Sequence, residues 1–600
     1  MLAVADRASA YGRHRMTTAA DTASTLLRNR ARLARRAAPR FGIVALGRLA
    51  ALVLILGAVA VLARLLAEMQ PEDLTAILGD EYLHRVIRFT LLQAGLSTLI
   101  SVIAAVPVAR ALARRSNFPL RGLLLRLFSL PLVMPSLVAI FGVVDIYGQQ
   151  GFAAHLTASL VQMTGGPFTW PSIYGLSGIL IAHVFFNLPL AVRLLLPAWG
   201  GIPAETWRLA AQLGMSGGQV FRLIEVPLLR RALPQIAATV FMLCFTSFAI
   251  VLTLGGGPRA STMEVAIFQA IRFDADLPRA GLLALIELGL CLAVGLICRA
   301  LAQRMELGTS LGRPLWRHDA ATRRARWGDG AWIAFAALFV VAPEAALLLD
   351  GLTGFTHALP WRALIGAAAL GLGLSLTAGS LATLTGFLLA GAATAPDDAR
   401  GFLISMPRRL LRRIAQGGQG LAGLLPLAFS PMVLGMGLYL WISDAANSDW
   451  LGGLFGGNDP DSLAADLWPV LGIIVLNAAM AVPYTLTLLL PALERARDQH
   501  DKLCLELGIS GWRRFSLIDW PVLRPQIGTA MALATSLGLG DLVGISLFGN
   551  PDLKTLGIIL YEQLGAYRLT EAATTALLLL LTVLVVYSGL ERLIGGRAGR

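Results

Sequence analysis

The sequence predicts an all-α polytopic membrane protein of about twelve transmembrane helices, arranged as two homologous six-span halves. Three observations carry this expectation. Hydrophobic residues make up 56% of the 600-residue chain and charged residues only 14%, against about 25% charged in a typical soluble domain, and the mean hydropathy is +0.69. Apolar runs of roughly 18–25 residues, each able to cross about 30 Å of hydrocarbon as a helix, recur from end to end. A polar stretch of the first half returns in the second.

The low charge content requires a lipid-facing surface. A backbone inside lipid must satisfy its own hydrogen bonds, which leaves helices or closed barrels. Continuous rather than alternating apolar runs exclude a barrel. The net charge of +14 comes from 48 Arg against only Lys502 and Lys554. A basic balance is the footprint of nucleic-acid binding in a soluble protein. Here the arginines fall between apolar runs, so they report topology, and no nucleic-acid partner is expected. Cys244, Cys291, Cys298 and Cys504 lie in or beside apolar segments without metal-ligand spacing, and read as packing residues rather than a disulfide framework.

The spans are expected near 49–66, 90–109, 127–144, 173–192, 236–254, 280–297, 331–349, 367–390, 421–442, 470–489, 527–547 and 572–589. The first forty residues hold nine Arg and no long apolar run, unlike a cleavable signal peptide. Short cytoplasmic loops retain positive charge. Arg110–Arg126, Arg299–Arg326 and Arg400–Arg413 are basic, whereas Asp145–Pro171 and Ser443–Leu467 contain no Lys or Arg. Both termini are therefore expected in the cytoplasm. The chain divides into a basic segment (1–42), a first half (43–301), a basic linker (302–330), a second half (331–592) and a tail (593–600).

The repeat has an offset near 294. Gly178–Pro189 aligns with Gly472–Pro483, and both segments run on to a Leu-Leu-Leu-Pro ending at Pro197 and Pro491. Arg208–Arg230 aligns without gaps to Lys502–Arg524, with 11 identities in 23 positions. Chance resemblance among apolar spans does not explain Gly, Ser-Gly, Phe, Pro and Arg recurring in register. Within loops 205–230 and 499–524, Glu205–Leu213 reads as a short helix ended by Gly214. Ser216 and Gln219 have capping-box spacing for a following helix, which is expected to end before Pro227. Gly508 and Pro521 stand in the same places in the second copy. A mere connector needs no such specified turn. A rigid knob repeated on one side of the membrane suits docking to a two-fold partner.

The spacing of Gly214, Ile224, Val226 and Pro227, matched by Gly508, Ile518 and Pro521, resembles the EAA loop of the membrane subunits of binding-protein-dependent ABC importers. The resemblance implies a type I ABC importer permease fold. It also implies two copies of a cytoplasmic ATPase subunit, a periplasmic solute-binding protein, and an inner-membrane location in bacteria. The coupling-loop residues carried over are Arg208, Ala210, Gly214, Ile224, Pro227, Lys502, Cys504, Gly508, Ile518 and Pro521. The Glu-Ala-Ala itself is replaced by Arg208-Leu209-Ala210 and Lys502-Leu503-Cys504. Stretches Tyr174–Pro197, Phe245–Ala270 and Gly538–Leu581 resemble the thiamine and thiamine-pyrophosphate permeases, which implies thiamine or its phosphates as solute. Ferric-iron or other small-solute permeases are the alternative, and a secondary transporter a more distant one.

No Gly-Lys pair exists for a phosphate-binding loop, and no nucleophilic triad or metal cluster is legible. The chain is thus expected to be a transport component rather than an enzyme, without cofactor, powered by a separate subunit. Ionisable residues inside spans cost about 2.5–3.5 kcal/mol each at a helix centre and are functional candidates by default. His183, Glu287 and Asp541 qualify as pathway candidates, the last among Gly538, Gly540 and Gly544.

Overall fold

The computed structural model describes residues 41–68, 79–162, 170–255, 257, 260–301, 317–356, 360–394, 429–446, 463–509, 511–550 and 553–596. Among these the chain forms helices and no strands. The expected basic stretch 400–413, most of the loop 443–467 and the basic N-terminal segment up to residue 40 lie outside the described residues.

The principal helices are α1 (Phe41–Ala67), α2 (Glu81–Arg114), α3 (Ser136–Tyr147), α4 (Leu176–Gly200), α5 (Ala204–Gln212), α6 (Val226–Phe245) and α7 (Leu277–Leu301) in the first half. In the second half they are α8 (Arg323–Gly354), α9 (Trp361–Ala393), α10 (Pro431–Ala446), α11 (Leu463–Glu506), α12 (Trp520–Leu539) and α13 (Leu569–Gly595). Ten helical segments among the described residues are long and apolar enough to cross a membrane. Two of the twelve expected spans fall short of that measure. α10 has 16 described residues, and α12 carries Arg524, Gln526 and Ser536 on a helix packed between α9, α11 and α13. A helix enclosed by other helices needs less apolar surface than one facing lipid.

Expected spans 127–144, 236–254 and 527–547 each cross a break. Pro131 and Pro135 separate a short helix at Arg121–Leu127 from α3. α6 stops at Phe245 before a separate turn of helix at Ala249–Leu254. α12 stops at Leu539, and Asp541 caps a new helix at Val543–Phe548 by accepting from the backbone N–H groups of Val543 (3.0 Å) and Gly544 (2.9 Å). The α8 helix begins at Arg323, inside the expected linker, because the Thr322 hydroxyl accepts from the N–H of Ala325 at 3.2 Å, a standard N-cap.

The first helix of each half packs against the other half. α1 lies on α9 and α10. Gly47 permits the close approach to α9, since a Cβ there would collide with the Leu388 carbonyl. Trp441 donates its indole N–H to the Ala60 carbonyl at 3.0 Å, and Arg64 pairs with Asp444 at 2.7 Å. α8 in turn lies on α2 and α3. The core at the contact of α9, α11 and α12 is rich in alanine, with Ala378, Ala382, Ala478, Ala481, Ala530 and Ala534, and Ala51 of α1 joins it. Small side chains let backbones approach where lipid supplies no hydrophobic drive between helices.

These contacts put both repeated loops at one end of the bundle. Asp329, in the first turns of α8, pairs with Arg114 and Arg115 at the end of α2, beside the first loop. The far end of α8, at Gly354, touches Thr574 near the start of α13. α13 returns, and its last residue Gly595 lies against Pro525 at the root of the second loop.

Candidate functional site: two matched loops and a cavity between the halves

The Schellman geometry of each loop follows from its glycine. Gly214 has φ +60° and Gly508 φ +64°, values that a Cβ disfavours. In the first copy the Met215 N–H reaches the Ala210 carbonyl at 3.0 Å and Gly214 reaches Ala211 at 3.1 Å. In the second the Ile509 N–H reaches Cys504 at 2.9 Å. These bonds satisfy carbonyls that a helix end otherwise leaves open. Ser216 and Gln219 form the expected capping box.

The following helix does not end before Pro227, contrary to expectation. It widens into a π-turn at Phe221–Glu225 and continues as α6, with the Val226 N–H bonded back to Phe221. The second copy repeats this at Phe515–Asp519, with Trp520 bonded to Phe515. A proline ring collides with the carbonyl four residues back and lacks an N–H. Shifting the bond to i−5 for one turn accommodates it.

Ala210 and Cys504 are buried, while Arg208 and Lys502 are exposed. Ile224 and Ile518 are half-buried, and Pro227 and Pro521 lie at the surface. Around them three leucines stand exposed in register: Leu209 with Leu503, Leu213 with Leu507, and Leu223 with Leu517. The copies differ upstream. The first has a break at Gly201–Pro203 between α4 and α5, whereas α11 runs unbroken for 44 residues.

Sequence reading passed over Glu225 and Asp519, although they are an acidic pair in register within the aligned stretch. Glu225 is fully buried and receives the Arg110 guanidinium at 2.5 Å, Arg317 at 2.6 Å and the Trp199 indole N–H at 3.1 Å. Asp519 receives Arg514 at 3.3 Å, and Arg514 also pairs with Asp501 at 2.5 Å. Arg317 has no counterpart in the repeat, so no sequence signal pointed to it.

The three pathway candidates are not brought together. His183 lies on α4 in the wall of a cavity of about 340 Å³ between the halves. The lining includes Met134, Phe186 and Asn187 from one half and Ser536 and Gly540 from the other. Its Nδ1 is held by Ser97 at 2.9 Å, and its Nε2 is without a partner, as is the Ser536 hydroxyl. Glu287 is buried beside Glu264 and Ser430. Asp541 faces a space of about 10 Å³ with Asn477 and Ser375, below what a solute requires, and its carboxylate is committed to the cap described above. Among the described residues no group of three or more His, Cys, Asp or Glu is arranged to hold a metal.

A duplicated helical bundle with two matched loops at one end and a cavity between its halves is a membrane transport component. The model of the family described as "Binding-protein-dependent transport system inner membrane component" matches residues 97–307 and 405–599, and the chain belongs to this family. It is the permease of such a system, a multi-pass protein of the inner membrane. A thiamine transport system permease protein of Brucella abortus is 43% identical over 501 residues, covering 83% of this chain and 86% of that protein. Its namesake in Escherichia coli K12 is 40% identical over 533 residues, with 87% and 91% covered. A sulfate transport system permease protein of Synechococcus elongatus is 26% identical over 227 residues, 38% of this chain.

Proposed function

We propose that this chain is the translocation subunit of a thiamine importer. It takes the vitamin or its phosphates from a periplasmic binding protein and is driven by two cytoplasmic ATPase subunits, one docked on each loop. The observation that carries the docking is the three leucine pairs exposed in register on two loops at one end of the bundle. Each exposed leucine returns about 1.5–3 kcal/mol when a partner covers it. The rigid Schellman turn and π-turn beneath make each loop a lever that nucleotide-driven closure moves as one piece.

The thiamine reading rests on relatives that span nearly the whole chain at 40–43% identity. In this reading the solute passes between the halves through the cavity at His183. Orphaned buried groups cost about 1–3 kcal/mol each, so His183 Nε2 and the Ser536 hydroxyl gain when a solute offers a hydrogen-bonding ring edge. Both termini and both loops face the cytoplasm. The halves run over 43–301 and, with α8 beginning at Arg323, over 323–592, and one chain supplies the complete pathway.

Proteoliposomes holding this chain, the ATPase and the binding protein are expected to accumulate radiolabelled thiamine only with ATP. His183→Leu is expected to lower uptake several-fold while the ATPase remains bound. Mass measurement of the complex is expected to give one permease per two ATPases. Uptake of ferric iron in place of thiamine, or a two-to-two complex, contradicts the reading.

A further inference from the structure

One of the differences between the two loops changes how a buried acid is balanced. Val220 in the first copy stands where Arg514 stands in the second, 294 residues on. In the second copy Arg514 is an internal cation, bonded to Asp501 and Asp519 just before and after the turn. Two further arginines beside that loop, Arg497 and Arg524, reach carbonyls of Gly391 and Thr394 at the end of α9, and of Leu593 and Ile594 on α13. All of these belong to the second half.

The first copy has the equivalent acid, Glu225, with Val220 in place of the cation. Its charge is balanced from outside the loop, by Arg110 of α2 and by Arg317 of the segment entering the second half. The Arg317 guanidinium carbon also lies 3.9 Å from the centre of the Trp207 ring, on α5. The same segment is fixed repeatedly. Asp319 takes Arg114 at 2.7 Å and Arg317 at 2.9 Å. The Ala320 carbonyl takes Arg115 at 2.7 Å. Asp329 in α8 takes Arg114 at 3.4 Å and Arg115 at 3.0 Å. The side chains of Arg114, Arg317, Asp319 and Asp329 are each less than a tenth exposed. Charge-assisted bonds shielded from water are short and directional, and little screened by salt.

We infer that Arg317 is a positioning residue for energy coupling. It joins the first docking loop, the end of α2 and the start of α8 into one rigid body. α8 is the first helix of the second half, yet it packs on the first. Motion imposed on the first loop therefore reaches a helix of the opposite half through paired charges, whereas among the described residues Arg497, Arg514 and Arg524 at the second loop bond within their own half. The two docking sites are mechanically unequal, and the duplicated chain works as an asymmetric machine. This rests on the coupling role proposed above for the loops.

Spin labels test it in the intact complex. Exposed Arg222 and its counterpart Ser516 are each replaced by labelled cysteine and each paired with labelled Arg324→Cys on α8. The Arg222–Arg324 distance is expected to stay constant between nucleotide-free and ATP-bound states, while Ser516–Arg324 shifts. A change of both distances by the same amount overturns the inference. In the transport assay, Arg317→Ala is expected to lower solute uptake per ATP hydrolysed by at least about fivefold, the low end of typical coupling factors, with both ATPases still bound. Arg317→Lys is expected to recover part of the loss, and Arg514→Ala to cost less. Wild-type uptake per ATP in Arg317→Ala overturns it. If that variant does not insert, the distances decide alone. Failure of the unaltered chain to bind ATPase at all would instead remove the coupling reading.

Discussion

Gly214 and Gly508, 294 residues apart, share one backbone conformation, with φ +60° and +64°. No heavy atom lies within 4 Å of where a Cβ would sit at either position. A Cβ there therefore meets no neighbour in the chain, and its cost is conformational. The left-handed region costs a side-chain-bearing residue about 1–2 kcal/mol, more for a β-branched one.

Gly214→Val or Gly508→Val is expected to leave the protein inserted and to lower transport-coupled ATP hydrolysis several-fold. Asn tolerates the left-handed conformation, so Gly214→Asn is expected to keep most of the activity. The assay is ATP turnover and uptake in proteoliposomes with binding protein present. Equal loss in the Val and Asn variants would show that conformation is not what the glycine supplies.

Glu225 is shared by two cations. Glu225→Ala takes from Arg110 its carboxylate and from Arg317 one of two, since Arg317 keeps Asp319, and it removes the one acid that joins them. Asp519→Ala is expected to cost less, since Asp519 is 18% exposed and Arg514 retains Asp501. Thermal unfolding in detergent should rank the two variants in that order.

The acid dependence of the anchor has a definite sign. Burial alone would raise the Asp319 carboxyl, but Arg317 and Arg114 outweigh it and hold the group below its ordinary value of 3.8. A depressed folded-state value means that its stabilisation is complete above that ordinary value. It is lost only as pH falls through the lower folded one. The difference in unfolding temperature between wild type and Asp319→Asn is therefore expected to be constant between about pH 5 and 8, and to shrink only in stronger acid.

Sidedness is tested by labelling with an impermeant thiol reagent in intact cells. Cysteine at Gly218 or Trp512, both exposed on the loops, is expected to stay unlabelled. Cysteine at Gln150, exposed in the Arg-free loop after α3, is expected to react. The reverse pattern inverts the orientation.

The sequence by itself determined what depends on local pattern and chain repetition. Apolar run length specified membrane helices, the in-register Gly214 and Gly508 specified two matched turns, and Ser216 with Gln219 specified a cap. Each is a property of residues within a few positions of one another, or of one stretch compared with its copy. Tertiary structure alone decided the rest. Nothing near Pro227 marks whether a helix ends or widens into a π-turn, because that depends on α6 continuing into the bundle. Nothing near Asp541 separates a solute contact from a helix cap. Arg317 is brought to the Glu225–Arg110 pair because α8 of one half packs on α2 of the other. A buried charge finds its partner through folding, and the partner's place in the chain follows from which helices touch rather than from any spacing along it.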